Sequence, residues 1–227
     1  MNWTTQTASW KNSFALPLFV TSDNKYRAGL LIYAITGTLY MMSNHNPIFA
    51  PQLLPMTWLD QAVPFMPGTV WIYMSDYFFA LVVFALCRDF TNVNKLCYSF
   101  FALQILSITT FFLWPTTFPR DQFPLPGTLD PITAGAFTFL RQIDSPHNCL
   151  PSLHVSTAFL AAFAFLDEQK GKFPWFLGWA TAIAITTLTT KQHYLADVLA
   201  AVALAIVLYL IFHRWVPYAP YGRQAKR

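Results

Sequence analysis

The sequence predicts an all-α, polytopic membrane protein: a bundle of six transmembrane helices with both termini on the cytoplasmic side. Three observations lead there. Of 227 residues, 55% are apolar and only 11% are charged, well below the roughly 25% that a soluble domain spends on Asp, Glu, Lys and Arg. Six apolar runs recur along the chain, most of them close to the ~20 residues that a spanning helix needs. The 14 basic residues fall unevenly between the connecting segments, which is the signal that orients such helices. These features exclude a disordered chain, a coiled coil and an ordinary soluble enzyme. They make residues 1–227 a single integral membrane domain with no room for a separate soluble one.

The first run, about 27–43, follows Lys25 and Arg27 and is closed by Asn44-His45-Asn46-Pro47. It starts too late and runs too long for a cleaved signal, so it is expected to stay as an anchor. Pro64 and Pro67-Gly68 precede the second run, 69–87, and Pro115 and Pro119 end the third, 95–114. Pro151 opens the fourth, 152–166, and Pro174 the fifth, 174–190; in a first helical turn the missing proline N–H costs nothing. The sixth covers 193–213. Trp71, Trp114, Trp175 and Trp215 fall at span ends, where interfacial aromatics belong. Between the third and fourth runs lies an active-site loop, 115–150, long enough to expect a functional role, with an amphipathic stretch from Pro131 to Ile143. Cys87, Cys97 and Cys149 form no close-spaced metal or redox pattern.

Loops rich in Lys and Arg stay cytoplasmic. With the N-terminus inside, the inner segments hold Lys11, Lys25, Arg27, Arg88, Lys95, Lys170, Lys172, Arg214, Arg223, Lys226 and Arg227, which is eleven of fourteen. The outer segments keep Arg120, Arg141 and Lys191. Three outer cations ask for a reason, and the residues around them supply one.

His154, in Pro151-Ser-Leu-His154, and His193, in Lys191-Gln-His193-Tyr-Leu-Ala-Asp197, both fall at the outer ends of expected helices, where ionisable groups default to a functional reading. His193 and Asp197 are four apart and share a helix face. The carboxylate can accept a proton from one imidazole nitrogen and leave the other as a lone-pair donor, as a nucleophile requires; the same spacing also suits a structural tie between helices. Pro151 and Ser152 begin a helix whose first turn offers free amides and the positive end of its dipole. His154 lies in that turn, within reach of a departing oxygen; a capped helix with a surface histidine is the plainer alternative. Arg120 and Lys191 complete a charge pattern suited to phosphate, with Arg as a planar fork and Lys as a point charge. Asp76, an acid inside the second run, is a possible further member, although pairing for helix packing is the plainer reading. Arg141 is a possible head-group contact, with a loop ion pair to Asp144 as the alternative. His45, His147 and His213 read as interfacial.

These motifs resemble the type-2 phosphatidic acid phosphatase superfamily, which includes lipid phosphatases and lipid phosphotransferases of the sphingomyelin and inositol phosphorylceramide synthase kind. Its Pro-Ser-x-His motif matches Pro151, Ser152 and His154, with Leu153 where Gly is frequent. Its Ser-Arg-x5-His-x3-Asp motif matches at His193 and Asp197, with Thr186 and Thr187 at the Ser and Arg positions. Its Lys-x6-Arg-Pro motif matches at Arg120 alone, with Leu113 and Asp121 at the flanking positions. The departures resemble the phosphotransferase branch more than the standard phosphatases.

The resemblance implies a metal-independent reaction on a lipid phosphate. In it His193 attacks phosphorus to form a phosphohistidine, Asp197 orients it, and His154 protonates the leaving oxygen, with Arg120, Ser152 and, in place of the motif arginine, Lys191 on the phosphate. The expected function is a membrane-embedded phosphatase acting on a phospholipid or polyprenyl (di)phosphate at the outer face of a membrane, with a bacterial inner membrane as its expected location. A phosphotransferase moving a phospho-head group to another lipid or alcohol is the alternative. The reading calls for no cofactor, no metal and no nucleic acid; its partners are the lipid phosphate and the bilayer. Two rivals remain open: a transporter with a polar pathway through Asp76, His154, His193 and Asp197, and a zinc enzyme built on the two histidines and Asp197.

Overall fold

A computed structural model of the chain describes residues 15–219. Four cations of the charge argument, Lys11, Arg223, Lys226 and Arg227, lie outside the described residues.

The described chain is mostly helical. Helix α1 (Lys25–His45) is followed by a strand of two residues, β1 (Gln52–Leu53), and a short helix α2 (Trp58–Ala62). Next come α3 (Val70–Met74) and α4 (Asp76–Leu86), then α5 (Phe90–Leu113) and a second short strand, β2 (Thr116–Thr117). Helices α6 (Pro131–Ile143), α7 (Leu153–Phe163), α8 (Phe165–Glu168), α9 (Phe173–Thr189) and α10 (Leu195–Tyr209) complete the order, and α10 runs on as a π-helical turn, Leu210–Trp215. Three helical stretches are long and apolar enough to cross a membrane: Pro67–Leu86, Phe90–Leu113 and Leu195–Trp215. Helix α9 has 17 residues, about 25 Å at 1.5 Å per residue, and α1 has 21 but mixes Thr, Ser, Tyr and Asn into its apolar run.

Local chemistry sets the boundaries. Asp89 caps α5 by accepting from the Thr91 amide at 2.8 Å, so that helix starts at Phe90 rather than at 95. Asp130 caps α6 with Pro131 at its first turn and accepts from Thr133 N at 2.9 Å. Ser152 caps α7. Each side-chain oxygen satisfies a donor that the helix start leaves free.

Helix α7 is the centre of the bundle, packed against α4, α5, α9 and α10. Seven of its eleven residues are buried, among them Ala158, Ala161 and Ala162. Small side chains there let backbones approach closely, as membrane helices must when lipid gives no hydrophobic drive to associate. Phe79, Val83, Leu96, Phe165 and Ile183 fill the space around them. Leu30, Ile35, Phe78, Leu81, Ile105, Leu199 and Val207 point outward, the perimeter that hydrocarbon would cover.

The two ends of the bundle are built differently. At one end, β1 pairs in parallel with β2 (Gln52 with Thr116, Leu53 with Thr117), Met66 N donates to Thr189 O at 2.8 Å, and Asn44 bonds Ser145 in both directions at 2.7 Å. These contacts fasten the segments after α1 and α5 over the starts of α7 and α10. At the other end Lys25 Nζ donates to the carbonyls of Ala85 and Cys87, and Lys95 Nζ to that of His213.

Candidate active site

His193 precedes α10 in a turn shaped by Lys191, whose φ of 55° lies in the left-handed region that a non-glycine residue adopts only when its surroundings hold it there. Asp60 supplies part of that hold, its carboxylate accepting from Leu195 N at 2.6 Å and from Thr57 N at 2.8 Å. Asp197 is fully buried in the first turn of α10, and its Oδ2 accepts from Tyr194 N at 2.8 Å. The same oxygen lies 3.2 Å from His193 Nδ1, and the Cys149 carbonyl oxygen lies 3.1 Å from that nitrogen. Both partners of Nδ1 are acceptors, so Nδ1 carries the proton and Nε2 keeps its lone pair.

His154 projects from the first turn of α7 to a ring-centroid distance of 6.1 Å from His193. The start of that helix is tied to α10 by Ser152 N donating to the Asp197 carbonyl at 3.3 Å. Both imidazoles are buried. The Tyr73 hydroxyl lies 3.2 Å from His154 Nε2 and 3.4 Å from Asp144 Oδ2. Asp144 also accepts from the Tyr40 hydroxyl at 2.5 Å. Arg120 reaches Asp144 twice, by an ion pair of 3.5 Å to the carboxylate and by donation to its carbonyl oxygen, and leaves its own Nε buried without a partner. Tyr73 and Asp144 thus link Arg120 to His154, and Tyr40 braces Asp144. The sequence carried no sign of the two tyrosines, because nothing in their spacing separates them from other aromatics. Asp144 was expected to pair with Arg141 and pairs with Arg120 instead.

His193, His154, Asp197, Ser152 and Arg120 therefore gather at one end of the bundle. Lys191 departs from its expected role. Its ammonium donates to the carbonyls of Asp60 at 2.8 Å and Val63 at 2.6 Å and sits 5.1 Å from the Phe123 ring; burial lowers its pKa, partly offset by the Asp60 charge. The turn that sets His193 in place directs Lys191 under the 58–63 segment, where it holds the loop. Arg141 also departs, donating to the Phe123 carbonyl at 2.9 Å and lying 4.8 Å from the Phe137 ring. Asp76 is buried in α4 and lines the same cavity as His154.

Cys149 Sγ, a His193 nitrogen and an Asp197 oxygen lie within 4.8 Å of one another, close enough to raise metal binding. The donor chemistry fits poorly. A metal needs a thiolate, but Cys149 Sγ lies 3.2 Å from the Pro146 carbonyl oxygen, placed to donate its proton there. The Cys149 carbonyl also requires a proton on the His193 nitrogen beside it.

Among known proteins, the family model described as PAP2 superfamily matches residues 44–211, and no curated protein matches the chain.

Proposed function

The chain belongs to the PAP2 superfamily, and on that premise we propose that it is an integral membrane lipid phosphatase, removing phosphate from a phospholipid or polyprenyl (di)phosphate through a phosphohistidine at His193. The observation that carries this reading is the pair of acceptors on His193 Nδ1, which leaves Nε2 as a nucleophile. Family membership supports phosphatase or phosphotransferase chemistry and a lipid phosphate substrate.

In the first step the Nε2 lone pair attacks phosphorus and the bond from phosphorus to the lipid oxygen breaks. His154 gives its proton to that oxygen, and the lipid alcohol leaves. In the second step His154 takes a proton from water, the water oxygen attacks phosphorus, and the P–N bond breaks with its electron pair returning to Nε2. Asp197 stabilises the imidazolium that forms when His193 is phosphorylated. Arg120, anchored by Asp144, has Nε left for a phosphate oxygen, and the first-turn amides of α7 below the Ser152 cap face the same charge. Transfer of phosphoryl groups is governed by such positioning and positive charge. Lys191 acts by holding the turn before His193.

Helices α1, α7 with α8, and α9 complete a set of six spans in this reading. The cluster of Lys25, Arg88, Lys95 and Arg214 marks the cytoplasmic end, and the histidine end faces the periplasm or exterior of a bacterial inner membrane. Two experiments test the function. Purified protein should release inorganic phosphate from a panel of lipid phosphates, and His193→Ala should not; full activity in that variant removes the nucleophile assignment. Labelled donor lipid supplied with a second lipid should yield free label; label on the second lipid makes the enzyme a phosphotransferase.

A further inference from the structure

Beside His154, helices α1, α4, α5 and α7 line a half-open cavity of about 140 Å³ that includes Tyr40, Asp76 and Gln104 in its wall. A second, almost wholly apolar cavity of about 60 Å³, lined by Ile32, Phe84, Leu96 and Leu160, adjoins it, and the two share Tyr33, Ala80, Phe100 and Thr157. Together they form a track from the catalytic end towards the middle of the bundle, polar above and apolar below. Asp76 is 8% exposed and Gln104 5%. Asp76 Oδ1 and Gln104 Oε1 are both buried without a hydrogen-bond partner. A buried acceptor left unpaired is costly, so two in one wall point to a ligand that brings donors.

We propose that this track receives the alcohol half of the lipid phosphate, and that Asp76 and Gln104 select lipids bearing a hydroxyl or amide N–H within a few atoms of the phosphate. The proposal rests on the phosphatase reading, in which His154 protonates the leaving oxygen. Whatever departs from phosphorus must then lie beside His154, and this cavity is the space there. The hydrocarbon tail follows the apolar part towards Leu160, while the hydroxyl or N–H donors meet the two orphaned oxygens. Gly37 lines the upper cavity, and an atom added at its Cβ position meets nothing within 4 Å. A larger side chain there has room to fit and would occupy the ligand's place.

Hexadecyl phosphate and 2-hydroxyhexadecyl phosphate, presented in the same detergent micelles, test the selection. The hydroxylated lipid should show a kcat/KM about fivefold higher or more, the return on one hydrogen bond to a buried acceptor. Asp76→Leu should bring that ratio to within about twofold of one, Asp76→Asn should keep most of it by keeping an acceptor oxygen, and Gly37→Phe should raise KM for both lipids. A wild-type ratio near one overturns the proposal. So does an unchanged ratio in an Asp76→Leu protein that elutes monodisperse and unfolds at the wild-type temperature. Should Asp76→Leu not fold, Gln104→Leu carries the same comparison. Binding separates this proposal from the phosphatase reading: radiolabelled hexadecane-1,2-diol should bind wild-type and His193→Ala protein alike and Asp76→Leu at least about tenfold more weakly. Diol binding with no turnover of any lipid phosphate removes the phosphatase reading and leaves the track; no diol binding removes the track.

Discussion

A His–Asp pair stands at each end of the last long apolar helix. At its start His193 Nδ1 lies 3.2 Å from Asp197 Oδ2; at its finish His213 Nδ1 lies 2.9 Å from Asp167 Oδ2. By distance alone the second is the better pair. Its surroundings differ in three ways. Asp167 is shared with Arg214 at 2.6 Å. His213 is completely enclosed and leaves Nε2 buried and unpaired, whereas the His193 side chain keeps 5% of its surface. Finally, no second imidazole faces His213 among the described residues, while His154 faces His193 and is joined to Arg120 through Tyr73 and Asp144. A His–Asp pair becomes a candidate catalyst through what faces its free nitrogen, and otherwise it ties helices together.

Substitutions in the two pairs can break or sharpen that contrast. The largest effect is expected from His193→Ala, which should lower phosphate release by at least about a thousandfold, since loss of a nucleophile removes the covalent route. His213→Ala should leave turnover within about threefold and instead lower the unfolding temperature in detergent; equal losses of turnover in the two variants would erase the distinction. Next, Asp197→Asn should reduce kcat by about a hundredfold or more through loss of the tautomer that exposes Nε2, whereas Asp167→Asn should show a stability loss of about 1–3 kcal/mol. Arg120→Gln should raise KM for lipid phosphate about tenfold or more, as removal of a charge-assisted phosphate contact does. Lys191→Met should show chiefly a stability change, and a KM effect as large as that of Arg120→Gln would return Lys191 to the phosphate. The smallest change is expected from chelation: phosphate release should stay within about twofold in excess chelator, and loss restored by added zinc would make Cys149, His193 and Asp197 a metal centre.

Parts of the site were legible in the sequence for a definite reason. His193 and Asp197 stand four apart, close enough for one turn to bring them together, although His193 lies in the turn before α10 and not on the shared helix face that the spacing predicts. Pro151 and Ser152 announce a helix start, and His154 follows in its first turn. Pairing between distant segments was not legible. His213 and Asp167 are 46 residues apart, and neither stands out; His213 was read as interfacial and proves to be buried. Arg120, Arg141 and Lys191 looked alike as outer cations, yet only Arg120 enters the histidine network. Their long flexible side chains leave the direction of the charge to the neighbours they meet. Tyr40 and Tyr73 are two of 10 tyrosines, and only packing of α1 and α3 against the segment after α6 brings their hydroxyls to Asp144.

Composition by itself determined the solvent of this protein, because a chain with 11% charged residues cannot cover itself against water. Local spacing determined where helices start and which of their residues share a face, since caps and the 3.6-residue period act within a turn or two. Tertiary structure alone decided which cation meets the site, which tyrosines join it, and which of two His–Asp pairs is left with a lone pair facing a second histidine. Those outcomes depend on contacts between segments tens of residues apart, and no local rule of spacing reaches that far.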